Sequence, residues 1–262
     1  MPSIIESRFP IHYNTVIKHR QGGNTGLEIM KKNIFILFDC METLIDLSKL
    51  PNLRDYAAWG FYGSGVEELW EDFDEYFRNY LLAKAELSSH LPELADYEMK
   101  GRFFQVVRSS FPDMDFGKAE ETAQKIYANY WRTYKAMSYV REDVLEVLPD
   151  LAKRFRLGVV SNFMVMGGIE EMLELHGLIG NFEFVVTSVA EGWRKPHPAL
   201  YKKALDSMGA FDGDIVFVGD DYINDFVTPG KLGMRPIFLD RYGRHPEIED
   251  RVTDFHQLRE CL

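Results

Sequence analysis

Five short runs, 34–38 (IFILF), 156–160 (RLGVV), 183–187 (EFVVT), 215–218 (IVFV) and 236–239 (PIFL), are nearly continuous in apolar residues. A strand with one wet face alternates apolar and polar side chains, so unbroken runs of this length imply strands covered on both faces. Between the later runs lie segments with helical spacing: Val144, Leu145, Leu148 and Leu151 within 143–154, and then 168–176 and 198–208. Strand alternating with helix predicts an α/β fold built on a doubly wound parallel sheet.

The alternation breaks once. More than a hundred residues separate the first run from the second, against about thirty to forty for a strand–helix–strand unit. The interval is helical in pattern. After Ser64, which with Glu67 would form a capping box, Trp70, Phe73, Phe77, Tyr80, Leu81 and Lys84 recur at helical steps. A second helix is predicted over 118–137, with Ala123, Ile126, Tyr127, Tyr130 and Tyr134 on one face. The expected organisation is a core of 33–47 and 141–262, a helical cap inserted over 48–140, and an N-terminal extension of 1–32. The aromatic stripe reads as the core of the helical insertion, and Arg102, Arg108 and Lys100 read as a solvated helix face. Within 1–32, Gln21-Gly22-Gly23-Asn24 reads as a turn.

Length and charge narrow the partners. A chain of 262 residues can bury a large core. Its net charge of −11 argues against nucleic acid or an anionic membrane as partner, but local cations can still bind a small anionic substrate. Two cysteines far apart, Cys40 and Cys261, predict no disulfide framework and a reducing, cytoplasmic setting. No apolar run approaches the roughly 20 residues that span a bilayer, and no secretory leader is expected.

Four of the five runs are followed by residues suited to phosphoryl chemistry. Asp39 follows the first run, where open α/β sheets bind their ligands. Ser161-Asn162 follows the second, Lys195-Pro196-His197-Pro198 lies beyond the third, and Gly219-Asp220-Asp221 through Asn224-Asp225 follows the fourth. Any one of these is commonplace, as a turn or a solvated loop. Together, in this order and at strand ends, they point to one anion site with hard oxygen ligands of the kind Mg²⁺ prefers.

With Phe38-Asp39-Cys40-Met41-Glu42-Thr43-Leu44, Val160-Ser161-Asn162, Lys195-Pro196-His197-Pro198 and Val218-Gly219-Asp220, the chain resembles the haloacid dehalogenase-like (HAD) superfamily, and the insertion resembles its helical C1-type cap. The resemblance implies a Rossmannoid core and assigns roles. Asp39 would attack phosphorus; Ser161 and Lys195 would bind phosphoryl oxygens, Asn162 would assist, and Thr43 would steady the first loop. Asp39, the Met41 carbonyl, Asp220 and Asp225 would form the Mg²⁺ site, with Asp221 and Asn224 supporting from behind. His197 and Cys40 would be structural.

One position departs from the family's phosphatases, which carry an Asp two residues after the nucleophile to protonate the leaving oxygen. Here it is Met41. Loss of such a group costs about a hundred- to ten-thousand-fold. Glu42 is adjacent, but on an extended segment neighbouring side chains point apart, so it is not the expected replacement. The leading expectation is a Mg²⁺-dependent phosphatase of a small phosphorylated metabolite, weak or suited to good leaving groups. A 2-haloacid dehalogenase, a non-enzymatic binding protein on the same fold, and a phosphonate hydrolase are the alternatives.

Overall fold

The computed structural model describes residues 33–262, so the Gln21–Asn24 turn and the N-terminal extension lie outside it. In chain order the elements begin with β1 (Ile34–Phe38) and β2 (Asp46–Leu47). The helices α1 (Leu53–Phe61), α2 (Phe73–Ser89), α3 (Met99–Ser110) and α4 (Phe116–Met137) follow. The chain returns through β3 (Ser138–Tyr139), α5 (Glu142–Arg154), β4 (Arg156–Ser161), α6 (Gly168–Leu175) and β5 (Phe184–Thr187). It closes with α7 (Ser188–Glu191), α8 (Pro198–Ser207), β6 (Asp214–Gly219), α9 (Thr228–Lys231), β7 (Arg235–Leu239), β8 (Arg251–Val252) and α10 (Phe255–Cys261).

The main sheet is parallel throughout, in the order β5-β4-β1-β6-β7-β8. Alternation along β1 explains its unbroken hydrophobicity. Ile36 and Phe38 enter one buried cluster with the α5, α6 and α10 residues Leu148, Ile169 and Phe255. Phe35 and Leu37 enter another, with Leu200, Tyr201 and Ala204 of α8. Both faces of the strand are therefore dry. Truncating Phe38 to alanine would cost about 3–5 kcal/mol. The order places β1 centrally, with the β4 and β6 ends on either side of Asp39.

The helical insertion leaves and re-enters the core through a two-stranded antiparallel ribbon, β2 with β3, in which Asp46 pairs with Tyr139. Its interior, including Phe61, Tyr76, Phe103, Ile126 and Tyr130, is continuous with the cluster under β1. The sheet and the insertion thus share one hydrophobic body. Among the described residues, no helix is long and apolar enough to cross a membrane.

Several sequence expectations need correction. No helix starts at Ser64: α2 begins at Phe73, capped by the Asp72 side chain on the Glu75 amide at 2.8 Å. Ser64 instead accepts from Val66 N in a turn flanked by Gly63 and Gly65, both at positive φ. The buried face of α2 is Tyr76, Tyr80 and Ala83, while Phe73 and Phe77 are half-buried under Arg54 and Leu81 is exposed. In α5 it is Val147, not Leu145, that is buried. Helices α1 and α3, the β2–β3 ribbon and β8 lie outside the expected elements; α1 opens on a reciprocal Asn52–Asp55 capping box.

Candidate active site

The strand ends converge on Asp39. Its amide continues the sheet by donating to Val218 O at 2.9 Å, so the side chain is delivered at the carboxyl edge between β4 and β6. Oδ1 accepts from Lys195 Nζ at 2.9 Å; the second oxygen receives no hydrogen bond from the described residues. Beyond Asp39 the chain folds back at once. Cys40 O accepts from the amides of Thr43, Leu44 and Ile45, and Glu42 N donates to Ile45 O. Within this turn the Met41 carbonyl takes no donor from the described residues. Cys40 is fully buried, and burial first and Asp39 second push its thiol well above the ordinary range, which makes it inert.

Lys195 is 3% exposed and bridges two carboxylates, Asp39 and, at 2.7 Å, Asp225. Burial alone would lower its pKa, but Asp225 and then Asp39 outweigh that, so the ammonium stays charged. Its loop is fixed by Asn162, whose Oδ1 accepts from Lys195 N at 2.6 Å and whose Nδ2 donates to Lys195 O at 3.1 Å. Asn162 is therefore a clamp on the lysine's backbone, and its amide is not free for a phosphoryl oxygen as the sequence suggested. Ser161 differs: its buried Oγ has no partner among the described residues. A buried hydroxyl left without a partner is costly unless a ligand supplies one.

After β6 the chain makes a wide π-type turn, Tyr222–Val227, opened by Asp221, whose side chain accepts from Ile223 N and Asn224 N. That turn carries Asp225 back over Gly219, where an added Cβ would lie 2.4 Å from Asp225 Oδ2. Only glycine allows this approach. Both Asp225 oxygens are engaged, one by Lys195 and one by Asp221 N at 3.1 Å. Thr43, fully buried, donates from Oγ1 to Asp220 Oδ1 at 3.3 Å. The Asn224 carbonyl accepts from the Tyr201 hydroxyl.

Asp39, Asp220 and Asp225 each bring an oxygen within 4.8 Å of the others. Three carboxylates against one ammonium leave excess negative charge. Burial first and Asp39 second raise Asp220 to about 8. Burial likewise raises Asp225 to about 7, against the opposing pull of Lys195. Such a cluster fits a hard divalent cation. The free oxygen of Asp39, Asp220 and the unpartnered Met41 carbonyl are ligands at hand, with Asp225, which also holds Lys195, beside them.

Glu42 overturns the expectation drawn from an extended segment. It sits at φ +61° in the turn, and its carboxyl accepts from Leu47 N at 3.4 Å. Burial first and Asp46 second raise it to about 7. It lines a cavity of about 130 Å³ together with Asp220 and Arg241, with its carboxyl against Leu47 N and Asp46. His197 caps α8 through Ala199 N and stacks on Trp193 at 4.0 Å, a structural role.

No sequence signal marks the strap that closes the other side. The α2–α3 loop pairs with the core loop in front of Lys195, Ala95 opposite Trp193 in antiparallel sense. Asp96 N donates to Gly192 O at 3.0 Å and Arg194 N to Leu94 O at 2.9 Å. The Asp96 carboxylate accepts from Ser188 Oγ. Under this strap runs a cleft of about 460 Å³ lined by Tyr97, Asn162, Arg194, Lys195 and Asn224. Arg102, expected on a solvated face, is 4% exposed behind it. Lys100 is half-buried, and Arg108 donates to Met114 O.

Comparisons with known proteins bear on the family and the fold. The family model described as haloacid dehalogenase-like hydrolase matches residues 80–239. The chain is 26% identical over 244 residues to a glyceraldehyde 3-phosphate phosphatase of Pyrococcus furiosus, covering 89% of this chain and 94% of that one. It is 40% identical over 84 residues to haloacid dehalogenase-like hydrolase domain-containing protein 3 of Danio rerio, covering 32% and 34% of the two chains. A solved 2-haloacid dehalogenase from Pseudomonas syringae has a TM-score of 0.69 at 21% identity, covering 86% of this chain and 96% of that one. A HAD phosphatase from Thermococcus onnurineus has a TM-score of 0.58 at 20% identity, covering 88% and 97%. At these identities the two structures speak to the fold alone.

Proposed function

The chain belongs to the haloacid dehalogenase-like hydrolases, and from that membership we propose that it is a Mg²⁺-dependent phosphatase of a small phosphorylated metabolite, working through an aspartyl-phosphate at Asp39. The observation that carries the reading is the carboxylate cluster around a nucleophile with one oxygen held by Lys195 and the other free. A carbon–halogen hydrolase has no use for such a cluster.

In the first step an Asp39 oxygen forms a bond to phosphorus as the ester oxygen leaves with its electron pair and takes up a proton. In the second, water attacks the phosphorus of the aspartyl-phosphate, returning the carboxylate and releasing phosphate. Lys195 and Ser161 hold phosphoryl oxygens, and Asp225 keeps the ammonium aimed. Asp39, Asp220 and the Met41 carbonyl would hold Mg²⁺, which would supply charge neutralisation for the transferring group. With Met41 in the acid's position, the leaving oxygen takes its proton from water or from Glu42, and esters of poor leaving groups turn over slowly. The relatives named as glyceraldehyde 3-phosphate phosphatases support a substrate of three-carbon size. Two free thiols are consistent with a cytoplasmic setting.

The test is turnover of 4-nitrophenyl phosphate and acetyl phosphate with and without Mg²⁺. Mg²⁺ raises the rate and Asp39→Asn abolishes it. Activity that survives Asp39→Asn would rule the reading out.

A further inference from the structure

Arg102 is a buried charge without a counter-ion. It forms no ion pair among the described residues; its partners are two phenols and a thioether. Nη1 donates to the Tyr80 hydroxyl at 2.8 Å, and Nε and Nη2 donate to the Tyr97 hydroxyl at 3.0 and 2.6 Å. Nη2 also lies 3.6 Å from Met164 Sδ, on the core loop three residues beyond Ser161. Desolvating a guanidinium against neutral groups alone is expensive unless something else completes its environment.

The hydrogen bonding at Tyr97 shows where that completion comes from. Its oxygen receives two N–H groups from Arg102, so its own O–H must point away from the guanidinium. No acceptor for that proton exists among the described residues. Tyr97 lines the cleft that also contains Lys195, while Arg102 stands behind it and off the cleft wall. Two donors on one phenol oxygen polarise the O–H and make it a stronger donor. Facing the same cleft from the core loop is Arg194, exposed and without an ion pair among the described residues. Glu93 is the one carboxylate on that strap-side wall.

Resting on the phosphatase reading above, we infer that this cleft is a specificity subsite for a second anionic oxygen group, a carboxylate, on the phosphorylated substrate. Tyr97 makes the direct contact, Arg194 adds charge from the facing loop, and Arg102 acts as a positioning residue through Tyr97. A carboxylate supplies acceptors for the polarised O–H and the negative charge that Arg102 lacks. A hydroxyl at the same place brings a further donor and no charge.

Three compounds that differ only at the far carbon form the test: D-3-phosphoglycerate, D-glyceraldehyde 3-phosphate and glycerol 3-phosphate. Each is measured as a competitive inhibitor of 4-nitrophenyl phosphate hydrolysis. Wild-type protein should bind 3-phosphoglycerate about tenfold or more tightly than glycerol 3-phosphate, the worth of one charge-assisted hydrogen bond. Tyr97→Phe should collapse that ratio toward one. Arg102→Lys, which keeps the charge but not the two-pronged grip on Tyr97, should lower it in the same direction. Equal constants for the three compounds in wild type, or a Tyr97→Phe change of the same factor for all three, overturns the subsite while leaving the phosphatase in place. If no phosphate ester is hydrolysed, calorimetric binding of 3-phosphoglycerate and glycerol 3-phosphate decides. A Tyr97-dependent preference then keeps the subsite and removes the phosphatase, and no preference removes both.

Discussion

Lys195 Nζ stands 2.9 Å from Asp39 Oδ1 and is held there from behind by Asp225. The pair fixes the orientation of the Asp39 carboxylate, the nucleophile of the proposed reaction, and it does so inside the protein, where a charge without its partner is costly. Lys195→Met should therefore act on stability as well as chemistry. It leaves Asp225, fully buried, facing Asp39 without the ammonium. A loss of about 3–5 kcal/mol in urea unfolding is expected, together with loss of turnover. Unchanged stability would mean that the ion pair contributes nothing to the fold.

Met41→Asp restores a carboxylic acid two residues from the nucleophile. If protonation of the leaving oxygen is the missing step, turnover of glycerol 3-phosphate should rise by about a hundredfold or more, while 4-nitrophenyl phosphate, with its better leaving group, gains less. No gain on either ester would show that the pocket is shaped for a different reaction.

Proton and metal compete for the Asp39–Asp220–Asp225 cluster. The folded state holds Asp220 and Asp225 well above the ordinary carboxylate value of 3.8, so between about pH 4 and pH 8 it binds more protons than the unfolded chain. Without metal, this site favours the fold at low pH and loses that contribution progressively between about pH 4 and pH 8, the loss being complete above the folded-state values. Mg²⁺ should thus raise Tm little at pH 5 and progressively more toward pH 8. A shift in Tm that is independent of pH would contradict binding at these carboxylates.

Glu42 occupies the left-handed region, at φ +61°, where a Cβ costs about 1–2 kcal/mol. Glu42→Gly should therefore be more stable than Glu42→Ala by about 1 kcal/mol, measured by chemical denaturation. Equal stabilities would mean that the turn relaxes at no cost.

The parts that a sequence reveals here are those set by local repetition. Unbroken apolar runs betrayed the strands because both faces of the sheet are covered, and Asp39, Ser161, Lys195 and Asp220 stood out because each follows a strand at a fixed short distance. Cap placement was ambiguous for a physical reason. Ser64-x-x-Glu67 and Asp72-x-x-Glu75 carry the same pattern, and Gly63 and Gly65, at positive φ, keep the first as a turn. The amide of Asn162 looked free because its partner, the backbone of Lys195, lies 33 residues away. Tyr97 and Arg102 had no local signature at all. Their chemistry exists only once α2 and α3 set Tyr80 beside Arg102 and the strap lays Tyr97 over the cleft.

The bridge between Ala95 and Trp193 fastens the strap through the very loop that presents the Lys195 ammonium. Arg194 N is bonded to Leu94 O, and Lys195 is the next residue. Any opening wide enough to exchange ligand tugs on the segment that aims Lys195 at Asp39. On the phosphatase reading proposed above, release of product and loss of the Lys195–Asp39 contact would be one motion, so an open molecule would also be an idle one.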